Sequence, residues 1–342
     1  MSTEADPRLV VAALNKKFGA GTVVRGSDIT EPIHRMTSGS LTLDLILGGG
    51  WPANQWNELI GEASHGKTTV ALKTIAANQA LDPEWTAVWI AAEHWVPDWA
   101  EMLGVDTSRV IVVETNIMEE AYHAALKFAE SKSVDCIVID SLPALVPLPE
   151  EEKDMDEMTV GRGALLTNKF FRKAGGAMRR SMIEAERPVL GIMINQWRMK
   201  IGVMHGDPRT RPGGKGLEFA MFTMNDVKRD EWIEVGSGQN KRKVGQRIRI
   251  RNMKNKTAPP QGVAYVDFYF ADGGNCAAGE FDFAKEIVAM AVLEEIISRK
   301  GAWYYYGDYK WQGTDAVLQS LREEPDLKDE ISKAVLDIPV VR

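Results

Sequence analysis

The chain has 342 residues, 44% of them hydrophobic, and a formal net charge of −7. That is enough for one large domain with small attachments, and too apolar for a disordered polypeptide. No stretch reads as a signal peptide or as an apolar run of membrane-spanning length, and two cysteines, Cys136 and Cys276, suit a reducing cytoplasm better than a disulfide framework.

Residues 6–18 predict a short helix with Leu9, Val10, Ala13 and Leu14 on one face, and residues 18–24 carry two glycines and two valines. Together they form a loose N-terminal arm, which packs either on its own core or on a neighbour; the sequence leaves both open. Between Ser38-Gly-Ser40 and Gly48-Gly-Gly50, the residues Leu41, Leu43, Leu45, Ile46 and Leu47 predict a short apolar helix. A short strand follows over 56–60.

Residues 61–69 read GEASHGKTT, and Gly61, Gly66, Lys67 and Thr68 fill the fixed positions of a phosphate-binding loop. The glycines let successive backbone N–H groups turn inward toward phosphate oxygens. Glu62, Ala63, Ser64, His65 and Thr69 complete the expected cradle. Lys67 is expected to reach the outer phosphates and Thr68 to ligate magnesium. A helix running to about residue 80 presents its positive end to the nucleotide. A chance Gly/Ser turn would lack this strand–loop–helix context.

Beyond it, apolar runs alternate with helical stretches. Strands are predicted at 87–90, 110–113, 136–139 and 189–194, with helices at 97–103, 118–130 and 167–182. This rhythm indicates a largely parallel sheet covered on both faces. Residues 221–225, 247–252 and 264–270 read as later strands. After Gly279 the character changes: a helix over 283–298, an aromatic hairpin over 301–311 turning at Gly307-Asp308, then helices over 314–323 and 326–336. The hairpin rings are read as core in preference to a binding platform, because so small a unit leans on every buried ring. The expected organisation is an arm over 1–36, a core over 37–279 and a small α+β domain over 280–342.

Several residues carry the chemistry. Asp140 ends the apolar strand Cys136-Ile-Val-Ile and sits where a phosphate-loop enzyme holds magnesium; the competing reading is a turn or capping aspartate. Ser141 follows it and is read as a partner of the same water. Glu93 ends the strand Trp89-Ile-Ala-Ala, and strand ends in parallel sheets are where ligands bind, so it is read as the carboxylate that orients the attacking water. Gln196 ends the strand 189–195 and precedes a Gly- and cation-rich loop over 197–216 bearing Arg198, Lys200, Arg209, Arg211 and Lys215. A second candidate loop spans 149–163, acidic at 150–154. Residues 241–256 hold eight Lys or Arg and no acid. Two readings of that stripe stand equal: a phosphate-binding surface, or a solvated strand against acidic neighbours.

These stretches, with TSGSLTLDLILGGG (37–50), AAEHW (91–95), CIVIDS (136–141), NQWRMKIGVMHGDPRTRPGG (195–214), KNKTAPP (254–260) and KGAWYYYG (300–307), make the chain resemble the bacterial RecA-type recombinases and their phage homologues over residues 18–335. The resemblance implies an α/β fold: a RecA-like P-loop ATPase core with a mostly parallel sheet, a helical arm and a small C-terminal domain. It implies ATP and Mg2+ as cofactors, a helical filament on single-stranded DNA, and pairing of that strand with homologous double-stranded DNA. Single-strand-binding and loader proteins are implied as partners, and a membrane is not. By the same resemblance Glu93 is catalytic, Asp140 is the second magnesium residue and Trp99 stacks on adenine. Gln196 senses the γ-phosphate, Lys254 and Lys256 reach the neighbour's ATP, and Phe219 is an interface aromatic. Part of the basic stripe then faces ATP in trans. The DNA-facing residues implied are Arg162, Trp197, Arg198, Met199, Lys200, Ile201, Gly202, Val203, Met204, Arg209, Arg211, Gly213 and Gly214.

The chain departs from the family at His65, where a serine is usual, at Trp197 for an aliphatic residue, at His205 for a phenylalanine, and in the basic Arg209 and Arg211. Trp197 is read either as stacking on bases or as a packed aromatic at the loop root. The sequence ends at Arg342 without the acidic tail common in cellular members, which suggests an unrestrained DNA affinity and a phage-encoded copy. Two other functions fit the core alone: a ring-forming RecA-fold helicase or loader motor, and a nucleotide-gated protein scaffold that binds no DNA. The match over 195–214 and the C-terminal domain separate the recombinase from the motor, and the scaffold predicts no stimulation of ATPase activity by single-stranded DNA.

Overall fold

The computed structural model describes residues 6–29, 33–148, 161–178, 187–199 and 208–337. Eight strands form the central sheet: β1 (Gln55–Ile60), β2 (Ala87–Ala91), β3 (Val110–Glu114), β4 (Cys136–Asp140), β5 (Leu190–Asn195), β6 (Thr223–Val235), β7 (Arg242–Asn255) and β8 (Val263–Tyr269). Their order is β8-β7-β6-β1-β5-β4-β2-β3. The six strands from β6 to β3 pair in parallel, and β7 and β8 add an antiparallel edge.

The inner strands β2, β4 and β5 read as nearly unbroken apolar runs because both faces are covered, whereas β1 buries the polar Asn57 and Glu58. Along β4, Cys136 and Val138 point into one core and Ile137 and Ile139 into the other. The first core is filled by the helix Lys67–Leu81 through Val70, Leu72 and Ile75. Trp51 lies fully buried there and donates its indole N–H to Thr74 Oγ1 at 3.0 Å. The second core takes Phe170 and Phe171 of the helix Arg162–Met178, both edge-on to Trp56. Each such large side chain contributes about 1.5–3 kcal/mol by leaving water.

Four expectations shift. The later strands are much longer than predicted: 221–225 becomes Thr223–Val235 and 247–252 becomes Arg242–Asn255. The outer half of Thr223–Val235 is polar and largely exposed. Arg242–Asn255 begins with the exposed Arg242 and Lys243 and continues through the buried Val244, Gly245 and Gln246, which form no apolar run. The helix predicted at 167–182 begins at Arg162, since Gly163 is tolerated in a first turn where its carbonyl accepts from Thr167 Oγ1 at 2.8 Å; residues 179–182 lie outside those described. The helix predicted over 283–298 stops at Leu293. Glu295 takes φ +58° there and the buried Ile297 bonds back to the Ala291 carbonyl, which turns the chain into the strand Ser298–Lys300.

The C-terminal helices and hairpin enclose a core of their own, with Ile287, Leu321 and Ile331 at its centre. Of the hairpin rings, Tyr304 and Trp311 are buried while Trp303 and Tyr309 are exposed, so the core reading holds for part of the cluster. Glu286 fastens this unit to the main one. It is buried and accepts from Ser40 Oγ (2.7 Å), the Leu41 N–H (2.6 Å) and Thr42 Oγ1 (3.3 Å). Burial pushes its carboxyl up to about 8. At the other end of the chain, the helix Pro7–Phe18 buries none of its side chains, and Leu9 is 70% exposed. This helix therefore buries no side chain in the core of its own chain. Among the described residues, no helix is long and apolar enough to cross a membrane.

Candidate active site

Parallel pairing puts the carboxyl ends of the inner strands level. Ile60 pairs with Asn195, Asp226 with Ile60, and Ala91 with Asp140. The residues that follow, Gly61, Gln196, Ser141 and Ala92-Glu93, therefore emerge along one edge, the usual ligand edge of such sheets.

At its centre lies the loop from Gly61 to the helix Lys67–Leu81. Gly61 is fixed by contact: a Cβ there would overlap the Val227 carbonyl. Gly66 is fixed by conformation, at φ +100°, and a Cβ would stand 2.5 Å from Ile248 Cδ1. Lys67 is buried and donates to the Glu62 carbonyl at 2.6 Å. Burial lowers its pKa, against the pull of Asp140 and Glu93. Glu62, Ala63 and Ser64 are exposed on the outer turn. His65 folds beside them, 3.8 Å from the Glu62 carboxylate, with its pKa lowered first by burial and then by Arg229.

Two strand ends meet beside the loop. Thr68 Oγ1 donates to Asp140 Oδ2 at 3.0 Å. Ser141 Oγ donates to Glu93 Oε1 at 2.5 Å, and the Glu93 backbone N–H bonds the Asp140 carbonyl. Ser141 thus orients Glu93, a partner the sequence did not indicate. Burial, then the neighbouring Glu93, pushes Asp140 up to about 7. The Thr68–Asp140 pair fits magnesium, which takes one or two protein oxygens and completes its shell with water and phosphate. No cluster of three or more His, Cys, Asp or Glu among the described residues would form an all-protein cage.

A cavity of about 320 Å³ opens beside the loop. Gly66, Lys67, Thr68 and Thr69 line one end, and Trp99, Trp232, Phe268 and Phe270 wall the other, with Gln246 between. Trp99 stands edge-on to Phe268. Trp232 lies between Arg229 and Lys243, whose charges sit 4.0 and 4.3 Å from its ring centre. Sequence reasoning found Trp99 and missed the other rings and Gln246. Their only signal was an alternation of large side chains on strands whose pairing was unknown.

The segment after Gln196 is rooted beside this site. Arg198–Met199 pairs antiparallel with Arg209–Thr210. Lys200, Ile201, Gly202, Val203, Met204 and His205 lie outside the described residues, as do 149–160 of the other predicted loop. The two roots meet: Arg162 and Gly163 line a cavity of about 290 Å³ with Arg198 and Gly213. Trp197 is packed, donating to Asp226 Oδ1 at 2.7 Å, with the Arg209 guanidinium 4.8 Å over its ring. Arg209 also pairs with Asp226 at 3.5 Å.

Arg211 differs from its expected placement at the DNA-facing surface. Its side chain is 9% exposed and ion-paired with the buried Glu58 of β1. The reason is electrostatic: a carboxylate in the sheet interior needs a cation, and Arg211 supplies it.

The basic stripe also divides. Arg247 pairs with Asp267 and Glu231, Lys241 with Glu234, and Arg251 bonds Gln261. Those residues follow the solvated-strand reading. Lys254 and Lys256 donate to the carbonyls of Glu218 and Phe219, at the end of the helix Gly214–Ala220. Lys254 lines a separate cavity of about 570 Å³ with Trp197, Arg209, Arg211 and Lys215, away from the phosphate loop of its own chain. Phe219, on the same helix, is 75% exposed beside the exposed Leu165.

Comparison with known proteins accords with this arrangement. The family model of the RecA N-terminal domain matches residues 8–275, and that of the RecA C-terminal domain residues 285–338. Protein RecA of Kineococcus radiotolerans is 39% identical over 329 residues, 95% of this chain and 89% of that protein. Protein RecA of Frankia casuarinae is 40% identical, covering 95% of this chain and 90% of that one. The chain belongs to the RecA family.

Proposed function

We propose that this protein is a DNA-dependent ATPase that assembles as a helical filament on single-stranded DNA and catalyses homologous pairing and strand exchange. The observation that carries the reading is the shared edge: the phosphate loop, Glu93, Asp140 and Gln196 stand beside the roots of the segments 149–163 and 197–213. Nucleotide chemistry and DNA contact are then neighbours on one rigid sheet. The organisation supported is an arm over 1–36, a core over 37–279 and a C-terminal unit over 280–342.

In this reading ATP lies with its phosphates on the loop and its base among the rings, stacked against Trp99. Lys67 bonds the outer phosphates, and the backbone N–H groups of residues 62–69 share their charge. Thr68 and Asp140 would hold magnesium, which would supply charge neutralisation at the nucleotide phosphates. Glu93, steadied by Ser141, positions the attacking water in line with the γ-phosphate. Gln196 contacts the γ-phosphate and passes its presence to the following segment. Lys254 and Lys256 reach the nucleotide of a neighbouring subunit, which ties filament contact to ATP. The position of Lys254 in a cavity apart from its own phosphate loop supports a role in trans. The exposed apolar face of the helix Pro7–Phe18 and the exposed Phe219 suit burial against adjacent subunits. Arg162, Arg198, Met199 and the residues 200–204, with Arg209, Gly213 and Gly214, form the DNA surface, and the packed Trp197 steadies its root. Backbone and stacking contacts there accept any sequence.

The test is hydrolysis with and without single-stranded DNA, followed by imaging of the assembly. Stimulated turnover and helical filaments are expected. Closed rings would point to a motor, and an absence of stimulation to a scaffold.

A further inference from the structure

Glu58 is fully buried on β1, the strand that leads into Gly61, yet it carries a carboxylate. Its two oxygens hold opposite ends of the segment that follows Gln196. Oε1 accepts from Asn195 Nδ2 at 2.8 Å, and Oε2 is bonded by Arg211 Nη1. The same Asn195 amide reaches the Pro212 carbonyl at 3.3 Å, and its oxygen accepts the Gln196 backbone N–H at 2.9 Å. One carboxylate therefore orients the amide on which Gln196 rests and anchors the chain where it returns. Burial drives the Glu58 pKa upward, and the Arg211 charge, then the Asn195 bond, oppose it. The remaining contacts of Arg211 are looser: among the described residues Nη2 makes no hydrogen bond and lies 3.6 Å from the exposed Glu218 carboxylate, and Nη1 also lies 3.5 Å from Met224 Sδ.

We infer that Arg211 and Glu58 form an internal tether that sets the position of Gln196, so that Arg211 is a positioning residue for ATP hydrolysis and not a phosphate contact to DNA. The inference rests on the proposed role of Gln196. Without the guanidinium, Glu58 takes up a proton or drags water inward, and the Asn195 amide loses its fixed acceptor. Gln196 then meets the γ-phosphate in the wrong attitude, while the phosphate loop on the far side of Gly61 keeps its own contacts.

The experiment compares Arg211→Met, Glu58→Gln and the double variant Glu58→Gln/Arg211→Met. In the full chain, DNA-stimulated kcat should fall about tenfold or more in Arg211→Met while KM for ATP moves far less, because misplacement by about 1 Å is felt in the chemical step. The double variant should recover most of the loss, since a glutamine oxygen still accepts from Asn195 and no charge is stranded. DNA affinity measured across a salt series should keep its slope in Arg211→Met. A slope reduced by about one would mean a lost phosphate contact and would overturn the tether. Equal losses in the single and double variants would overturn it too. Melting temperatures of the same cycle read the tether without DNA: non-additive shifts support it, and additive shifts reject it even in a wild type that DNA fails to stimulate. That last behaviour of the wild type would instead reject the proposed function.

Discussion

The loop at 61–69 and the root of the segment at 195–212 share one edge of the sheet, yet they are held by different means. The first is held by backbone: glycines pressed against Val227 and Ile248, and a lysine folded onto a carbonyl of its own loop. The second is held by charge placed inside the protein, with Glu58 gripping Asn195 and Arg211, and Asp226 gripping Trp197 and Arg209. A backbone cradle tolerates loss of a charged side chain without unfolding, because few buried groups depend on it. A buried ion pair does not, since removing one partner strands the other. Chemistry should therefore be separable from stability at the loop and entangled with it at the root.

The sharpest way to break this contrast is Lys67→Ala. Hydrolysis and strand exchange should fall about a thousandfold with the melting temperature nearly unchanged, as expected when a group that meets developing phosphate charge is lost. Full exchange activity would refute an ATP-driven mechanism. Next is Glu93→Gln, for which ATP should still bind and turnover should drop about a hundredfold, the scale of a lost catalytic carboxylate. Equilibrium binding of a fluorescent ATP analogue and steady-state hydrolysis measure the two halves. At the root, Lys254→Ala with Lys256→Ala should remove DNA stimulation of the ATPase by about tenfold or more. It should also loosen the end of the helix Gly214–Ala220 by about 0.3–1 kcal/mol, since both lysines bond its last carbonyls. Normal stimulated turnover in that variant would contradict the trans arrangement.

The smallest effect lies at the C-terminal unit. Glu286 has its carboxyl raised to about 8. Between the ordinary carboxylate range and that value, the folded state holds a proton that the unfolded chain has released, so stability falls as pH rises through this window. Glu286→Gln cannot release a proton, and its melting temperature should decline less between about pH 5 and pH 8. An unchanged slope would mean that Glu286 is not the group responsible.

Much of the fold was legible in the sequence because the inner strands are buried on both faces. Cys136-Ile-Val-Ile and Leu190 to Ile194 read as uninterrupted apolar runs, and the phosphate loop announces its own neighbours. The outer halves of β6 and β7 were not legible, since Lys228 to Glu234 has no apolar run to mark it as strand. The same limit applies to the site. Lys67, Thr68, Asp140 and Glu93 were found because each sits at a strand end or in a motif. Glu58 was passed over because its partner lies at Arg211, far along the chain, and a charge count cannot distinguish a cation turned inward from one facing a ligand. Trp232 and Gln246 reach the cavity through pairing of β6 with β7 that no local pattern specifies.

Two indoles border the mouth of that cavity, and one of them is flanked by a guanidinium and an ammonium group. Trp51, Trp56, Trp85 and Trp89 are sealed in the interior and give a steady background. The protein thus carries a built-in optical reporter. A nucleotide entering beside Trp99 and Trp232 alters the polarity and quenching around those rings, so occupancy can be followed by intrinsic emission in an unlabelled sample.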